Sequence, residues 1–225
     1  MIKVIEKILK NISVFISYFL YANVFLALLL LMNFDIYKMD ITKRILVLLG
    51  IDIVYMIILF FVYRKEIIKD LKDFKANYKE YIPKYLPIYL LGVIAMGVIN
   101  IVLSKLTGAN TSGNEETIRE YIDKFPIYMA FSTVIYAPFV EELIFRKSIR
   151  NMVKNKYVFI ILSGLIFGIL HISDYTNATE ILFGIPYVIM GIDFAYIYYK
   201  TDNIFTTMSY HMTHNLILLV IQFIR

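Results

Sequence analysis

Two adjacent glutamates and an arginine stand in an otherwise apolar segment, residues 137–146, which reads APFVEELIFR. Ionisable groups are costly in apolar helices and by default mark function. In a helix, Glu142 and Arg146 share one face and can form the ion pair that makes a buried arginine tolerable. Glu141 lies about 100° round the helix and lacks that partner. We therefore expect Glu141 to exchange the proton in any chemistry and Glu142 to be structural, with Pro138 distorting the helix just before them.

Two later apolar runs add polar pairs at the same four-residue spacing. Phe167 and His171 belong to one run, and His211 and Asn215 to the last, so each pair projects from one helix face. A single histidine in a membrane helix can be an ordinary hydrogen-bonded packing residue. Three helices with such groups instead favour a shared interior site, because a bundle gathers the polar groups that lipid does not solvate.

The chain that must position these residues has the composition of an integral membrane protein. Its 225 residues are 60% hydrophobic, and the mean hydropathy is +0.68, well above a soluble domain. A helix needs about 20 apolar residues to cross a bilayer. On that measure the fold class is all-α, a polytopic helical bundle of about seven transmembrane helices, near 11–34, 45–63, 84–104, 125–145, 157–173, 178–199 and 203–224.

We expect one structural domain, with N-terminal transmembrane helices in 1–104 and the polar pairs in a core at 105–225. The first apolar run is too long for a signal-peptide core and should remain as an anchor. The one long polar stretch, 105–124, predicts a loop that leads into a short helix near Glu115. The absence of cysteine excludes disulfides, thiolate metal sites and a cysteine nucleophile.

Positive charges predict the orientation in the membrane. Sixteen of the 23 Lys and Arg residues fall in the N-terminus and in segments 64–84, 143–157 and 200–202, which places these segments in the cytoplasm. A plasma-membrane location then has the N-terminus inside and the C-terminus outside. Segment 64–84, interrupted by Pro83, is either a helix lying on the anionic inner leaflet or a solvated loop. None of these charges indicates nucleic-acid binding.

The ordered set Glu-Glu-x-x-x-Arg, Phe-x-x-x-His and His-x-x-x-Asn resembles the CAAX prenyl protease and bacteriocin-processing family (CPBP, or Abi) of intramembrane endopeptidases. The resemblance covers about residues 105–225, and the family's Pro-x-x-Glu-Glu context is present from Pro138 to Glu142. Lys147 departs from the glycine that many members have after the arginine. We expect this change to affect the end of the helix more than the chemistry.

The resemblance implies that Glu141 and His171 activate a water molecule, and that His211 and Asn215 stabilise the tetrahedral oxyanion. Peptide hydrolysis needs such a base and such donors. Glu141, His171 and His211 are also possible ligands of a zinc ion, since the family is often described as metalloproteases. Their spacing differs from His-Glu-x-x-His, and a metal-free glutamate mechanism is favoured. His214 is expected to be a packing residue or a spare ligand.

The resemblance implies an endopeptidase that acts on a membrane-associated peptide or protein. The compact size of the chain favours a bacterial plasma membrane over an organelle. The depths of Glu141 and His211, counted along their helices at about 1.5 Å per residue, predict access from the inner leaflet or cytoplasm. The first alternative is a non-catalytic membrane protein of bacteriocin immunity or partner binding. A transporter is the second, since intramembrane acids and histidines also form proton relays. Asp52 and Asp193 are two further intramembrane acids, and Asp193 is expected to be a buried hydrogen-bonding residue and not a catalyst.

Overall fold

The structure, a computed structural model, describes residues 2–224, and their side chains except at positions 3, 4 and 37. Within this range all regular structure is helical. The helices are α1 (Ile2–Leu31), α2 (Ile41–Val62), α3 (Arg64–Thr107), α4 (Gly113–Lys124), α5 (Pro126–Met152), α6 (Lys156–Ile169), α7 (Ala178–Thr201) and α8 (Ile204–Ile224), with a 3₁₀ turn at Ile36–Lys38.

The helix lengths confirm an all-α polytopic membrane bundle and reduce the number of candidate transmembrane helices from about seven to six. Six of the described helices, α1, α2, α3, α5, α7 and α8, are long and apolar enough to cross a membrane. The fifth predicted run, 157–173, is instead the 14-residue helix α6. At 1.5 Å per residue α6 extends about 21 Å, less than the roughly 30 Å of a hydrocarbon core.

Contacts gather the basic segments at one end of the bundle. Lys10 Nζ lies 3.3 Å from Glu66 Oε1, and Lys147 Nζ lies 3.2 Å from Asp70 Oδ2. Asn203 Nδ2, in the turn between α7 and α8, donates to the carbonyl of Asp70 at 2.7 Å. We call this the basic end, and it comprises residues 7–11, 63–75, 146–156 and 200–204. The segments counted as cytoplasmic thus share one end, while their side of the membrane stays a prediction.

The opposite end of the bundle, which we call the α4 end, carries the short polar helix predicted near Glu115. Ser112 caps α4 by accepting from the backbone N–H of Glu115. The N–H of Gly113 donates to the Glu180 carboxylate at 3.0 Å, and Asn114 Nδ2 donates to the Tyr187 hydroxyl at 3.3 Å. These bonds hold α4 across the start of α7.

Helix α3 corrects the prediction of a separate segment at 64–84. It is one α-helix of 44 residues with Pro83 and Pro87 inside it, about 66 Å long at 1.5 Å per residue. Prolines leave nearby carbonyls without an intrahelical donor, and neighbouring helices can supply one. Pro83 and Pro87 lack the N–H groups that would bond the carbonyls of Lys79 and Pro83, and the Tyr210 hydroxyl of α8 donates next to them, to the carbonyl of Ile82. Residues 64–83 therefore continue the transmembrane helix at the basic end.

Helix α5 lies at the centre of the main hydrophobic core, with Val140 and Ile144 fully buried. The short helix α6 is held beside it by close packing on α7. A Cβ on Gly164 would lie 2.8 Å from the backbone nitrogen of Ile192, and one on Gly168 would overlap Val188. Small residues let membrane helices approach this closely, so α6 is fixed although it is short.

Candidate active site

The two glutamates lie where the backbone of α5 changes its helical repeat. The α-helical segment Ala137–Glu141 has a π-helical segment on each side, Ser132–Tyr136 and Glu142–Ser148. Such widened turns are rare in proteins as a whole, but where they occur they are often at functional sites. Pro138 itself lies in the α-helical segment between the two widened ones, and the bend expected at Pro138 stays a prediction.

The first π-helical segment frees a carbonyl that positions Asn215. The N–H of Ala137 donates to Ser132, five residues back. In the same register the carbonyl of Thr133 would pair with Pro138, which has no N–H. Asn215 Nδ2 fills this place and donates to the Thr133 carbonyl at 2.7 Å. One N–H of the Asn215 amide is thereby fixed, and the second remains a donor.

Glu142 makes the predicted ion pair and a second contact that the sequence did not indicate. Its Oε2 lies 3.3 Å from Arg146 Nε, and both side chains are 0% exposed. Its Oε1 lies 2.9 Å from His211 Nδ1. An ionised carboxylate only accepts, so Nδ1 of His211 carries a proton and Nε2 is the ring nitrogen left for chemistry. Glu142 therefore fixes the orientation of His211 and also compensates the positive charge of Arg146.

Arg146 is held by aromatic rings more than by hydrogen bonds. Its guanidinium carbon lies 4.6 Å from the Phe167 ring centre and 5.5 Å from that of Phe194. None of its three guanidinium nitrogens has a hydrogen-bond partner among the described residues, because the contact with Glu142 has ion-pair distance without hydrogen-bond geometry. Cation–π contacts of this kind are strongest when desolvated.

Glu141 faces the same histidine from the other side. Its Oε2 lies 3.8 Å from His211 Nε2, and its side chain is 13% exposed, whereas Glu142 is fully buried. The expectation that Glu141 is free of the arginine agrees with this geometry. The two glutamates thus bracket the two nitrogens of one imidazole.

His171 lies in the turn just after α6 and reaches the site through aromatic contacts. Its ring stacks on Tyr187 with centroids 4.3 Å apart, and it lies 4.6 Å from the ring of Phe167. Nδ1 is 2.7 Å from the Phe167 carbonyl. A carbonyl only accepts, so Nδ1 is the donor, and Nε2 of a neutral ring carries the lone pair.

One cavity of about 150 Å³ unites the residues predicted from the sequence. Glu141, His171, His211 and Asn215 all line it, although they come from α5, the turn after α6, and α8. Most of its wall is apolar, with Met96, Met190, Leu218 and Leu219 among the lining side chains. A concave apolar site with a few convergent polar groups is the usual form of a binding or catalytic site.

The cavity lies on the side of the bundle opposite to the predicted access. Its lining includes Glu115, Ile118, Arg119 and Ile122 of α4, and Gln222 near the end of α8. The cavity therefore extends towards the α4 end, whereas the sequence predicted entry from the cytoplasmic side, and the route of entry stays a prediction. Depth counted along single helices does not show which helices wall the space around the carboxylates.

The candidate metal ligands do not form a metal site in the structure. No group of three His, Asp or Glu side chains within residues 2–224 is arranged to hold a metal ion. In His171 and His211, Nδ1 is engaged with a carbonyl and with Glu142, which leaves Nε2 of each ring as the nitrogen that could bind a metal. The choice between metal-free catalysis, which the sequence favours, and a zinc enzyme is left to the chelation experiment below.

The remaining polar residues named from the sequence lie near the site or apart from it. His214 lines the cavity, with Nδ1 3.4 Å from the Tyr89 hydroxyl. Asp52 lies in a separate cluster on α2, where Tyr128 donates to it at 3.1 Å. Asp193 Oδ2 has no hydrogen-bond partner among the described residues, contrary to the expectation of a hydrogen-bonded acid.

Some residues of the site carry no sequence signal that would have predicted them. Tyr187 and Phe194 are aromatic residues in an apolar helix, and nothing in their spacing marks them. Thr133 contributes through its backbone carbonyl, which has no residue-type signal. The Glu142–His211 contact joins residues 69 positions apart, and only the packing of α8 on α5 reveals it.

Comparison with known proteins connects this arrangement to a family. The family model described as type II CAAX prenyl endopeptidase Rce1-like matches residues 123–217, a range that includes all four predicted catalytic residues. No solved structure matches the chain.

Individual bacterial relatives agree with the family model. A Bacillus subtilis (strain 168) protein with the provisional name membrane peptidase YdiL is 30% identical over 114 residues, 49% of this chain and 43% of that protein. The membrane-embedded CAAX protease MroQ of Staphylococcus aureus (strain USA300) is 31% identical over 160 residues, 67% of this chain and 62% of that protein. A Mycoplasma capricolum protein is 32% identical over 166 residues, 67% of this chain and 46% of that protein. The chain thus spans about half the length of these relatives.

Proposed function

This chain belongs to the CAAX prenyl protease and bacteriocin-processing (CPBP) family of membrane proteins, and we propose on that premise that it is an intramembrane endopeptidase. The observation that carries the proposal is the single apolar cavity in which Glu141, His171, His211 and Asn215 converge. The apolar lining of the cavity has a low dielectric constant, which strengthens the electrostatic interactions of these groups with a reacting peptide bond. Four polar groups from three parts of the chain are hard to explain as packing alone.

Glu141 and the Nε2 atom of His171 are the groups that activate water. Both line the cavity, Glu141 is not paired with Arg146, and the fixed proton on Nδ1 of His171 leaves Nε2 as an acceptor. A water held by both would give a proton to Glu141 as its oxygen adds to the carbonyl carbon. General-base catalysis of this kind contributes about 10²–10⁴ in rate.

His211 and Asn215 are the groups that stabilise the oxyanion. As water adds, the π electrons of the substrate carbonyl move to its oxygen, and donors must meet that charge. Asn215 offers the N–H that Thr133 does not use. Glu142 holds Nδ1 of His211, and Nε2 is the ring nitrogen that can donate to the oxyanion when it carries a proton. When the C–N bond breaks, the proton on Glu141 passes to the leaving amine.

The substrate is a membrane-associated peptide or protein that enters from the α4 end, and the setting is a bacterial plasma membrane. The side chains between the catalytic groups and α4 are mainly apolar, with the Glu115–Arg119 ion pair at 2.9 Å as the charged exception. A peptide segment that is apolar next to the cleaved bond would fit this wall.

The test is cleavage of an unbiased peptide library by the purified protein in lipid nanodiscs, with His171→Ala prepared in parallel. We expect products from the wild type and none above background from the variant. Equal products would identify a contaminating protease, and no products from the wild type would favour the non-catalytic immunity or partner-binding role. A chelator arm decides the metal question, since a glutamate mechanism survives exhaustive chelation, whereas a zinc enzyme loses activity and regains it with zinc.

A further inference from the structure

His171 is the one proposed catalytic residue that lies outside a helix, in the turn that follows α6. Its Nδ1 is 2.7 Å from the Phe167 carbonyl. This hydrogen bond fixes one atom of the imidazole but not the plane of the ring. The direction of the Nε2 lone pair therefore depends on the side chains that lie against the ring.

One face of α7 packs closely against the chain on both sides of this histidine. A Cβ on Gly184 would lie 2.9 Å from Cγ1 of Ile172, and a Cβ on Gly168 would overlap Val188. Residues three and four apart share a helix face, so Tyr187 belongs to the face of α7 that makes both contacts. The close packing brings the ring of Tyr187 against the imidazole.

Tyr187 makes the most nearly parallel ring contact of His171. The two ring centroids are 4.3 Å apart and the planes differ by 18°, whereas Phe167 lies 4.6 Å away at an angle of 40°. The far end of the tyrosine is also held, because Asn114 Nδ2 of α4 donates to its hydroxyl at 3.3 Å. The tyrosine ring is thus fixed by α7 at one end and by α4 at the other, and its face sets the plane of the imidazole.

We propose that Tyr187 is a positioning residue, whose ring orients the imidazole of His171 so that Nε2 meets the water beside Glu141. The role rests on the proposed function, because its consequence is the alignment of His171 with that water. Tyr187 itself exchanges no proton in the reaction. Loss of the stacked ring should therefore lower kcat and leave KM nearly unchanged.

The kinetic experiment compares three variants in the peptide-cleavage assay, with thermal unfolding as a check on folding. Tyr187→Leu removes the stacked ring and keeps an apolar wall. It should lower kcat by about 10- to 100-fold, as small misplacements of catalytic groups do, with KM within about threefold of wild type. Tyr187→Phe keeps the ring and should retain most of the activity. Tyr198→Leu is the matched control, because Tyr198 is a buried tyrosine of the same helix whose ring faces Lys147 at the basic end, and its kcat should be normal.

Four kinetic results would overturn the positioning role while leaving the protease intact. Normal kcat in Tyr187→Leu would show that the stack does not align the base. A rise in KM alone would make Tyr187 a substrate-binding residue. Equal losses in Tyr187→Leu and Tyr187→Phe would assign the effect to the hydroxyl and not to the ring. An equal loss of kcat in Tyr198→Leu would assign it to a general disturbance of α7.

Histidine NMR tests the placement of the imidazole without peptide cleavage. The chain has three histidines, so labelled histidine gives three ring signals, and His171→Ala identifies the relevant one. Tyr187→Leu should move the His171 signal, because a stacked aromatic ring shifts the resonances of nuclei above its face, and should leave those of His211 and His214 in place. Tyr187→Phe should leave all three near wild type.

The NMR result is independent of the proposed function. If the wild type cleaves nothing, the proposed function fails, and the His171 signal still decides whether Tyr187 orients the imidazole. An unmoved His171 signal in Tyr187→Leu would overturn that contact. Movement of all three histidine signals would show a general rearrangement and would overturn the specific role of Tyr187 as well.

Discussion

Replacing Glu142 with glutamine should destabilise the protein far more than removing a comparable surface charge. Glu142 and Arg146 are both 0% exposed, and the substitution leaves the guanidinium without its nearest counter-charge. Removing one member of a buried ion pair typically costs about 3–5 kcal/mol. At about 2–4 °C per kcal/mol for a chain of this size, Tm should fall by about 6–20 °C.

The matched control is Glu66→Gln at the basic end. Glu66 pairs with Lys10 at the same 3.3 Å, but its side chain is 35% exposed. Partly exposed pairs contribute about 0–1 kcal/mol, so Tm should change by no more than about 4 °C. Both variants are measured by thermal unfolding in one detergent, with folded yield as a second readout. Equal changes in Tm would refute the reasoning that burial makes the Glu142–Arg146 pair essential.

Three other predictions concern catalysis, stability and topology. Asn215→Ala removes an oxyanion donor and should lower kcat by about 10²–10³ with KM near wild type; a rise in KM alone would make Asn215 a substrate-binding residue. Lys147→Met leaves the buried Asp70 unpaired and should lower Tm, whereas Lys84→Met, from an exposed pair with Glu80, should not; similar losses would contradict a structural role for Lys147. Because the chain has no cysteine, Asn110→Cys and Lys154→Cys give single labelling sites. A membrane-impermeant maleimide applied to intact cells should label position 110 and spare position 154, and the reverse would place the basic end outside.

The helices and the ion pair could be predicted because they depend on local patterns. Apolar runs indicate membrane helices, and the four-residue spacing of Glu142 and Arg146 puts them on one face of a helix. The same spacing correctly linked His211 and Asn215. These inferences need neither a partner helix nor a backbone irregularity, so the sequence was sufficient.

The features that the sequence did not reveal depend on tertiary contacts. Pro83 predicted an interruption, but α3 continues through it, and the Tyr210 hydroxyl of α8 packs beside the proline and donates to the carbonyl of Ile82. Lys147 was expected to affect the end of its helix, yet α5 continues to Met152 and Lys147 pairs with Asp70, 77 residues away. In both cases the residue contacts a neighbouring helix, which the local sequence does not reveal.

The different contacts of Glu141 and Glu142 could be predicted only in part from the sequence. The sequence indicates which carboxylate can reach Arg146, but it cannot show which one meets α8. In the structure both do, since Glu142 holds Nδ1 of His211 and Glu141 lies 3.8 Å from Nε2. The π-helical segments that set these directions are equally invisible to a pattern based on 3.6 residues per turn.

The turnover of Glu141→Gln is the most direct test of the proposed endopeptidase site. This substitution keeps the shape of the side chain and removes the group proposed to accept the proton of water. It does not disturb the Glu142–Arg146 pair, so the protein should fold with a Tm near wild type. In the peptide-cleavage assay kcat should fall by at least about 10². Turnover close to wild type in a folded Glu141→Gln protein would remove Glu141 from the mechanism and contradict the proposed endopeptidase site.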